Sequence, residues 1–329
     1  MVRRRQILAW GGAGGLAGLG ALASAPAQAQ GYPTGAITIV LPLQAGTASD
    51  VAVRHMADRL GQRMANNSFV VENVAAAAGL VGLERLSRAR PDGRTVAALN
   101  NSILTILPHL QAKQMKGDPR RELVPVAGIA NIPTFFAVPG NSPIRTIADL
   151  IKTARAGRVT YASGGVGSPQ HMATEMFNAF TGVKLEHVPY RGASQATLAV
   201  ASGEVDLMSM ALSLAQPFLQ DRRVRLIGYC GAERHGQFRD LPTLQEQGVK
   251  NYDYASWVGL FLHKDAPADV LQALRSEAQA VANDREFQVQ LLRSGLDPWP
   301  RTPQQLAAVV DADFQRWKQI IQDAKIPSA

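Results

Sequence analysis

The chain has 329 residues with 34 lysines and arginines against 26 acids, a formal charge of +8, six histidines and a single cysteine. With Cys230 alone, an intramolecular disulfide and a cysteine-based zinc site are both excluded. The basic excess is scattered as single residues and pairs without stacking aromatics, which argues against nucleic-acid binding while still favouring small anions.

Arg3, Arg4 and Arg5 precede an apolar run from Ile7 to Ala25, which ends at Ala25-Pro26-Ala27-Gln28-Ala29 with small residues where a signal peptidase cuts. Residues 1–29 therefore read as a secretory signal peptide cleaved near Ala29/Gln30, and they stand outside the fold argument. Arg4-Arg5-Gln6-Ile7-Leu8 also fits a twin-arginine export signal; an ordinary Sec signal with a basic start is the alternative. Cleavage lowers the charge from +8 to +5, because 1–29 carry three arginines and no acid. About 300 residues follow, enough for one large or two medium domains. No later run approaches transmembrane length.

Strand-like and helical runs then alternate, which predicts an α/β protein with largely parallel sheets. Strands are expected at 36–43, 68–73, 95–99 and 124–129, with helices starting near Asp50, Leu80 and Ile103. The first of these helices has an apolar stripe of Ala52, Met56, Leu60 and Met64. Between strand and helix lies Leu43-Gln44-Ala45-Gly46-Thr47-Ala48-Ser49-Asp50, where Thr47 and Ser49 serve either as caps or as ligand hydroxyls and Asp50 reads as a helix-start acid.

A second half opens at 135–139 and carries the most informative stretch, 158–206. A short strand through Val159, Tyr161 and Ala162 runs into Ser163-Gly164-Gly165-Val166-Gly167, whose glycines let the backbone turn tightly and leave N–H groups uncovered. Ser168 is a natural N-cap, Pro169 suits the first helical position and Gly182 ends the helix, whose buried face is expected to hold Met172, Ala173, Met176, Phe177 and Phe180. Bare amides at a helix N-terminus favour an anion. His171 sits in the first turn facing the loop, His187 lies on the next strand as a core or interlobe residue, and Arg191-Gly192 follow that strand where a planar guanidinium matches a carboxylate. Further strands at 205–208, 224–230 and 257–263 precede a helical tail, in which Asp265 caps one helix and Thr302, Pro303 and Gln305 form a capping box for the last. Chain crossings between two lobes are expected near 130–138 and 253–262.

Other chemistries find little support. Gly165-x-Gly167 lacks the third glycine of a dinucleotide loop, no P-loop sequence occurs, and the histidines show no metal-ligand spacing, so neither cofactor nor metal is implied. Ser168 and His171 can be drawn as a nucleophile and base, although no G-x-S-x-G elbow is present.

In YASGGVGSPQH (161–171), HVPYRGASQA (187–196), ASGEVDLM (201–208), VVEN (70–73), RPDGRT (90–95), DLPTLQEQG (240–248) and SWVGLF (256–261), the chain resembles the tripartite tricarboxylate transporter substrate-binding proteins, or Bug receptors, over essentially its whole mature length. The resemblance implies a type II-like, two-lobed periplasmic binding protein, each lobe a mostly parallel sheet flanked by helices, with the ligand in the cleft. Residues 30–130 with 256–329 would form one lobe and 131–255 the other. It further implies a monomer that binds a small organic carboxylate and delivers it to membrane transporter subunits, or else signals to a sensor kinase, without catalysis. Carried over by position, the ligand contacts are Leu43, Gly46, Thr47 and Ala48 from one lobe, and Ser163, Gly165, Gly167, Ser168 and His171 from the other, with Arg191 and Gly192 nearby. The first loop departs from the family's Pro-Phe-x-Pro-Gly-Gly-x-x-Asp, and Val74-Ala75-Ala76-Ala77-Ala78 replaces a glycine-rich run. After VDLM stand Ser209-Met210 where many members carry Phe-Asp, so a carboxylate without an amino group is expected.

Overall fold

The computed structural model describes residues 32, 35–64, 68–323 and 326; the expected signal peptide lies outside them. From Tyr32 onward the chain packs as one unit containing two sheets. The strands are β1 (Ile37–Leu41), β2 (Phe69–Asn73), β3 (Thr95–Asn100), β4 (Leu123–Ile132), β5 (Thr134–Pro139), β6 (Thr160–Ser163), β7 (Glu186–Pro189), β8 (Leu207–Ala211), β9 (Val224–Tyr229), β10 (Ser256–His263) and β11 (Asp297–Arg301). The first sheet has the order β11-β4-β10-β3-β1-β2 and the second β7-β6-β8-β5-β9.

Both sheets are mixed, where largely parallel ones were expected. In the first, β1 runs parallel to β2 and β3, while β10 is antiparallel to β3 and β4. In the second, β6 is parallel to β7 and β8, while β5 is antiparallel to β8 and β9. β11 is antiparallel to β4 as well, and of the reversed strands β5 and β10 are the ones that take up the chain after it changes sheets. Only Pro133 separates β4 in the first sheet from β5 in the second, and β10 brings the chain back.

Helices cover both sheets because their apolar faces match. Thr47 caps Ala48–Arg63, which buries Ala52, Val53, Met56 and Leu60 against Ile37, Ile39 and Leu41 of β1. Ser168 caps Pro169–Thr181, and Gly182 ends it in the left-handed region at φ 68°. That helix buries Met172, Ala173, Met176 and Phe177, but Phe180, expected inside, is 38% exposed. Asp265 does not cap the next helix as expected: Ala268–Ala282 starts after Pro267 without a side-chain cap, and the Asp265 N–H instead donates to His263 Nδ1. The capping box on the last helix, Pro303–Asp323, is present, with Thr302 and Gln305 exchanging backbone-to-side-chain bonds of 3.0 and 3.3 Å. This helix begins in the first sheet's core through Leu306 and Val310. Its later residues Trp317, Ile320 and Ile321 pack with the second sheet's core, although 256–329 was expected wholly with the first.

Phe136 is central to the second core, fully buried on β5 with its ring 5.0 Å from that of Phe177. Phe136→Ala should lower unfolding free energy by about 3–5 kcal/mol, read by chemical denaturation. A loss below about 1 kcal/mol would show that this core repacks freely.

Candidate functional site

Segments of both sheets line one cavity of about 420 Å³. Its walls come from segments that leave the carboxyl ends of β1, β2, β3, β6, β7 and β8, where open α/β sheets gather their ligands. Residues of the crossings, Ile132, Thr134 and Ser256, line it as well.

Three helix N-termini reach this cavity. Ala48–Arg63 presents Ala48 and Ser49, whose N–H groups find no acceptor among the described residues. Pro169–Thr181 presents Gln170, the first residue of that helix with an N–H, which is equally unpaired. Ala193–Ser202 has Gly192 at its cap with no side-chain bond, leaving the Ala193 N–H free at the wall. Free donors and three dipole ends directed at one space favour negative charge there. Among the described residues lining the cavity Arg191 alone is ionisable; it is exposed and no ion pair engages it. No acid among the described residues lines the cavity.

The loops of the two sheets touch across this space. Ser102 Oγ donates to Gly167 O at 2.8 Å, Ser194 Oγ donates to Gly46 O at 3.3 Å, and the Gln44 side chain lies against Gly192.

Of the residues expected to bind, Leu43, Thr47, Ala48, Gly165, Gly167, Ser168, Arg191 and Gly192 line the cavity together. Gly46, Ser163 and His171 do not. The Gly46 N–H is held at 2.9 Å by Asp50, whose other oxygen accepts from Asn73 Nδ2 and which also receives Arg54 Nε. Burial pushes the Asp50 carboxyl up, yet the bonds from Arg54, Gly46 and Asn73 outweigh it and hold it below its usual range. Asp50 thus braces the first loop from behind. Ser168 Oγ accepts the His171 backbone N–H at 3.4 Å, and the His171 ring turns to the Gly167 N–H, so the nucleophile–base pair is not assembled.

Sequence reasoning missed Asn100, Ser102, Gln111 and Gln114, all of which reach the cavity wall; Ser209, noticed only as a departure after VDLM, reaches it as well. Ser102 opens a π-helical turn, Ser102–Ile106, a feature frequent at functional sites that no local sequence signal announces. Ala77 and Ala78, also on the wall, hold φ of 51° and 55°, where the alanine-for-glycine departure gave the only hint. Among the described residues, no group of three or more His, Cys, Asp or Glu is placed to hold a metal ion.

Residues 51–326 match the family model described as the tripartite tricarboxylate transporter family receptor. The chain belongs to that family. It is 30% identical over 302 residues to the UPF0065 protein in the tcbD-tcbE intergenic region of Pseudomonas sp. (strain P51), covering 90% of this chain and 88% of that one. To protein BugT of Bordetella pertussis it is 25% identical over 313 residues, 91% and 92% of the two chains. The solved structure of R. palustris Rpa4515 with adipate matches at TM-score 0.85 and 29% identity, covering 90% of this chain and 99% of that one. The periplasmic binding protein BugD shares the fold at TM-score 0.83 and 24% identity, again covering 90% and 99%. The receptor is thus built on the periplasmic binding protein fold.

What keeps the receptor's glycine loop open is a stack of rings beneath it. Gly165 (φ 111°) and Gly167 (φ 78°) occupy conformations that side chains resist. The Gly165 N–H bonds Ser163 Oγ at 3.0 Å, Ser163 Oγ lies 2.6 Å from His187 Nε2, and the Gly167 N–H donates to His171 Nδ1 at 3.3 Å. The two imidazoles are 4.4 Å apart, with Tyr161 stacked on His187. Burial, and then the neighbouring His187, push His171 down to about 4; burial does the same to His187. Both rings are therefore neutral when folded but protonate from 6.5 downward when unfolded, so their contribution is complete above pH 6.5 and is lost as pH falls toward 4. The melting temperature of the wild type should drop across that window more steeply than that of His187→Gln, which keeps a polar partner for Ser163 without titrating there. Parallel profiles would remove the histidines from the account.

Proposed function

We propose that the protein is a periplasmic receptor that closes on a small organic carboxylate and delivers it to a tripartite membrane transporter. One observation carries this reading: unpaired helix N-terminal amides from both sheets, one arginine and no acid surround a single cavity. A carboxylate is the small anion whose flat pair of oxygens suits such donors and the Arg191 fork. The related Rpa4515 was solved with adipate, which supports the same ligand class here.

The first nest is Thr47, Ala48 and Ser49; the second is the free amides of Gln170 and Ala193, with Gly165, Gly167 and Ser168, whose own N–H groups are paired, shaping the wall and Arg191 and Gly192 beside it. Residues 30–130 with the start of the tail form one lobe and 131–255 the other, hinged at 132–134 and 254–256. Closure brings Ser102 to Gly167 and Ser194 to Gly46, and the ligand stabilises the closed form by bridging what the hinge separates. The transporter reads that difference, and the receptor itself does no chemistry. Export by the residue 1–29 signal, cleaved near Ala29/Gln30, places it in the periplasm as a monomer.

A thermal-shift screen of mono-, di- and tricarboxylates, aromatic acids and amino acids tests the reading. At a hundredfold excess over Kd a true ligand adds about 2.7 kcal/mol, which raises the midpoint by several degrees. Arg191→Ala should weaken that ligand about tenfold or more while leaving the unliganded midpoint unchanged. A screen with no stabilising carboxylate would overturn the receptor reading; unchanged affinity would remove Arg191 from it.

A further inference from the structure

Three buried polar atoms of residues lining the cavity lack partners among the described residues: Asn100 Nδ2, Ser209 Oγ and Gln111 Oε1. Asn100, at the carboxyl end of β3, and Ser209, on β8, are both fully buried and both line the cavity, one from each sheet. Among the described residues nothing hydrogen-bonds Asn100 Nδ2 or Ser209 Oγ. The orientation of the Asn100 amide is fixed, because its Oδ1 accepts the Ile103 N–H at 3.1 Å. The unused end is therefore the donor. Ser209 Oγ can donate or accept. Leaving such groups unpaired costs free energy, and a ligand atom that satisfies them recovers it.

We infer that Asn100 and Ser209 form a neutral specificity subsite that takes an uncharged oxygen of the ligand, so that the preferred substrates are hydroxy- or oxo-carboxylates carrying one negative charge. This deepens the proposed function and rests on it: the amide nests and Arg191 hold the carboxylate, and Asn100 and Ser209 read the rest of the molecule. Electrostatics disfavours other distal groups. A second carboxylate buried here would meet no cation, since Arg191, the one cation on the wall, is exposed beside the helix N-termini. An ammonium would meet no acid and would be faced by the Asn100 donor. A hydroxyl or carbonyl oxygen accepts from Asn100 Nδ2 and pairs with Ser209 Oγ without any charge to compensate. Gln111, buried on the same wall with Oε1 unpaired, can complete a hydroxyl's bonds.

The test is calorimetric binding to matched panels of acids four, five and six carbons long. In each panel the group away from the carboxylate is methyl, hydroxyl, oxo, ammonium or a second carboxylate. The wild type should bind a hydroxy or oxo acid about tenfold or more tighter than the methyl analogue and than the corresponding dicarboxylate or amino acid. Ser209→Ala and, separately, Asn100→Asp should erase that preference. The second change keeps an oxygen to accept from Ile103, replaces the donor with an acceptor and adds an acid, so it should also weaken the methyl analogue. Binding of the methyl analogue should survive Ser209→Ala, and unliganded melting temperatures show that each variant folds. If the dicarboxylate or amino acid binds best, or the hydroxy preference is absent or persists in both variants, the subsite is overturned while the carboxylate receptor stands. If no acid of any panel binds, the receptor reading fails, and the subsite with it.

Discussion

An ionised carboxylate leaves water only where something replaces the hydrogen bonds it gives up. Burying it against apolar walls alone costs far more than its hydrocarbon part returns. In the proposed reading the receptor meets that constraint mainly with backbone, Arg191 being the one countercharge among the described residues of the wall. The free N–H groups of Ala48, Ser49, Gln170 and Ala193 stand at the starts of three helices, where the peptide dipoles add to their donor strength. Nearly everything distinctive in the structure serves to keep those amides unpaired and in place. Asp50 and Asn73 brace one loop from behind; Ser163, His171 and His187 brace the other.

Backbone donors have a consequence for specificity. Amides at helix starts recognise any carboxylate, because they touch only what all such ligands share. Discrimination must come from side chains elsewhere in the cavity. The alanines at 76 and 78, the Gln44-Ala45-Gly46-Thr47 run and Ser209 all lie in segments that depart from the family's pattern. Most of them border the cavity, so the departures fall where a ligand would be read.

The legibility of the fold follows the same division. Strands with nearly continuous apolar runs, such as β1, β4 and β10, could be read directly because burial on both faces leaves few polar residues to confuse the pattern. Caps were readable where one side chain does a local task, as at Ser168 and Thr302. Edge strand β11 was not: Asp297-Pro298-Trp299-Pro300 argues against a strand, and only its position beside β4 alone lets proline be tolerated. The antiparallel course of β5 and β10 was hidden too, because direction is set by which sheet the chain returns to. In the site, glycine loops announced themselves and Ser209 stood out after VDLM, whereas Asn100 sits in ordinary strand sequence and acquires meaning only when two sheets face each other. His171 was rightly placed toward the loop, yet its work is to hold Gly167.

The most direct test is a crystal structure of the receptor with the strongest carboxylate from a ligand screen. The account predicts one carboxylate within hydrogen-bond reach, directly or through one water, of backbone N–H groups from both the Ala48–Ser49 and the Gln170 or Ala193 helix starts. A ligand held by amides of one sheet alone, or outside the cavity bordered by Arg191, would contradict it.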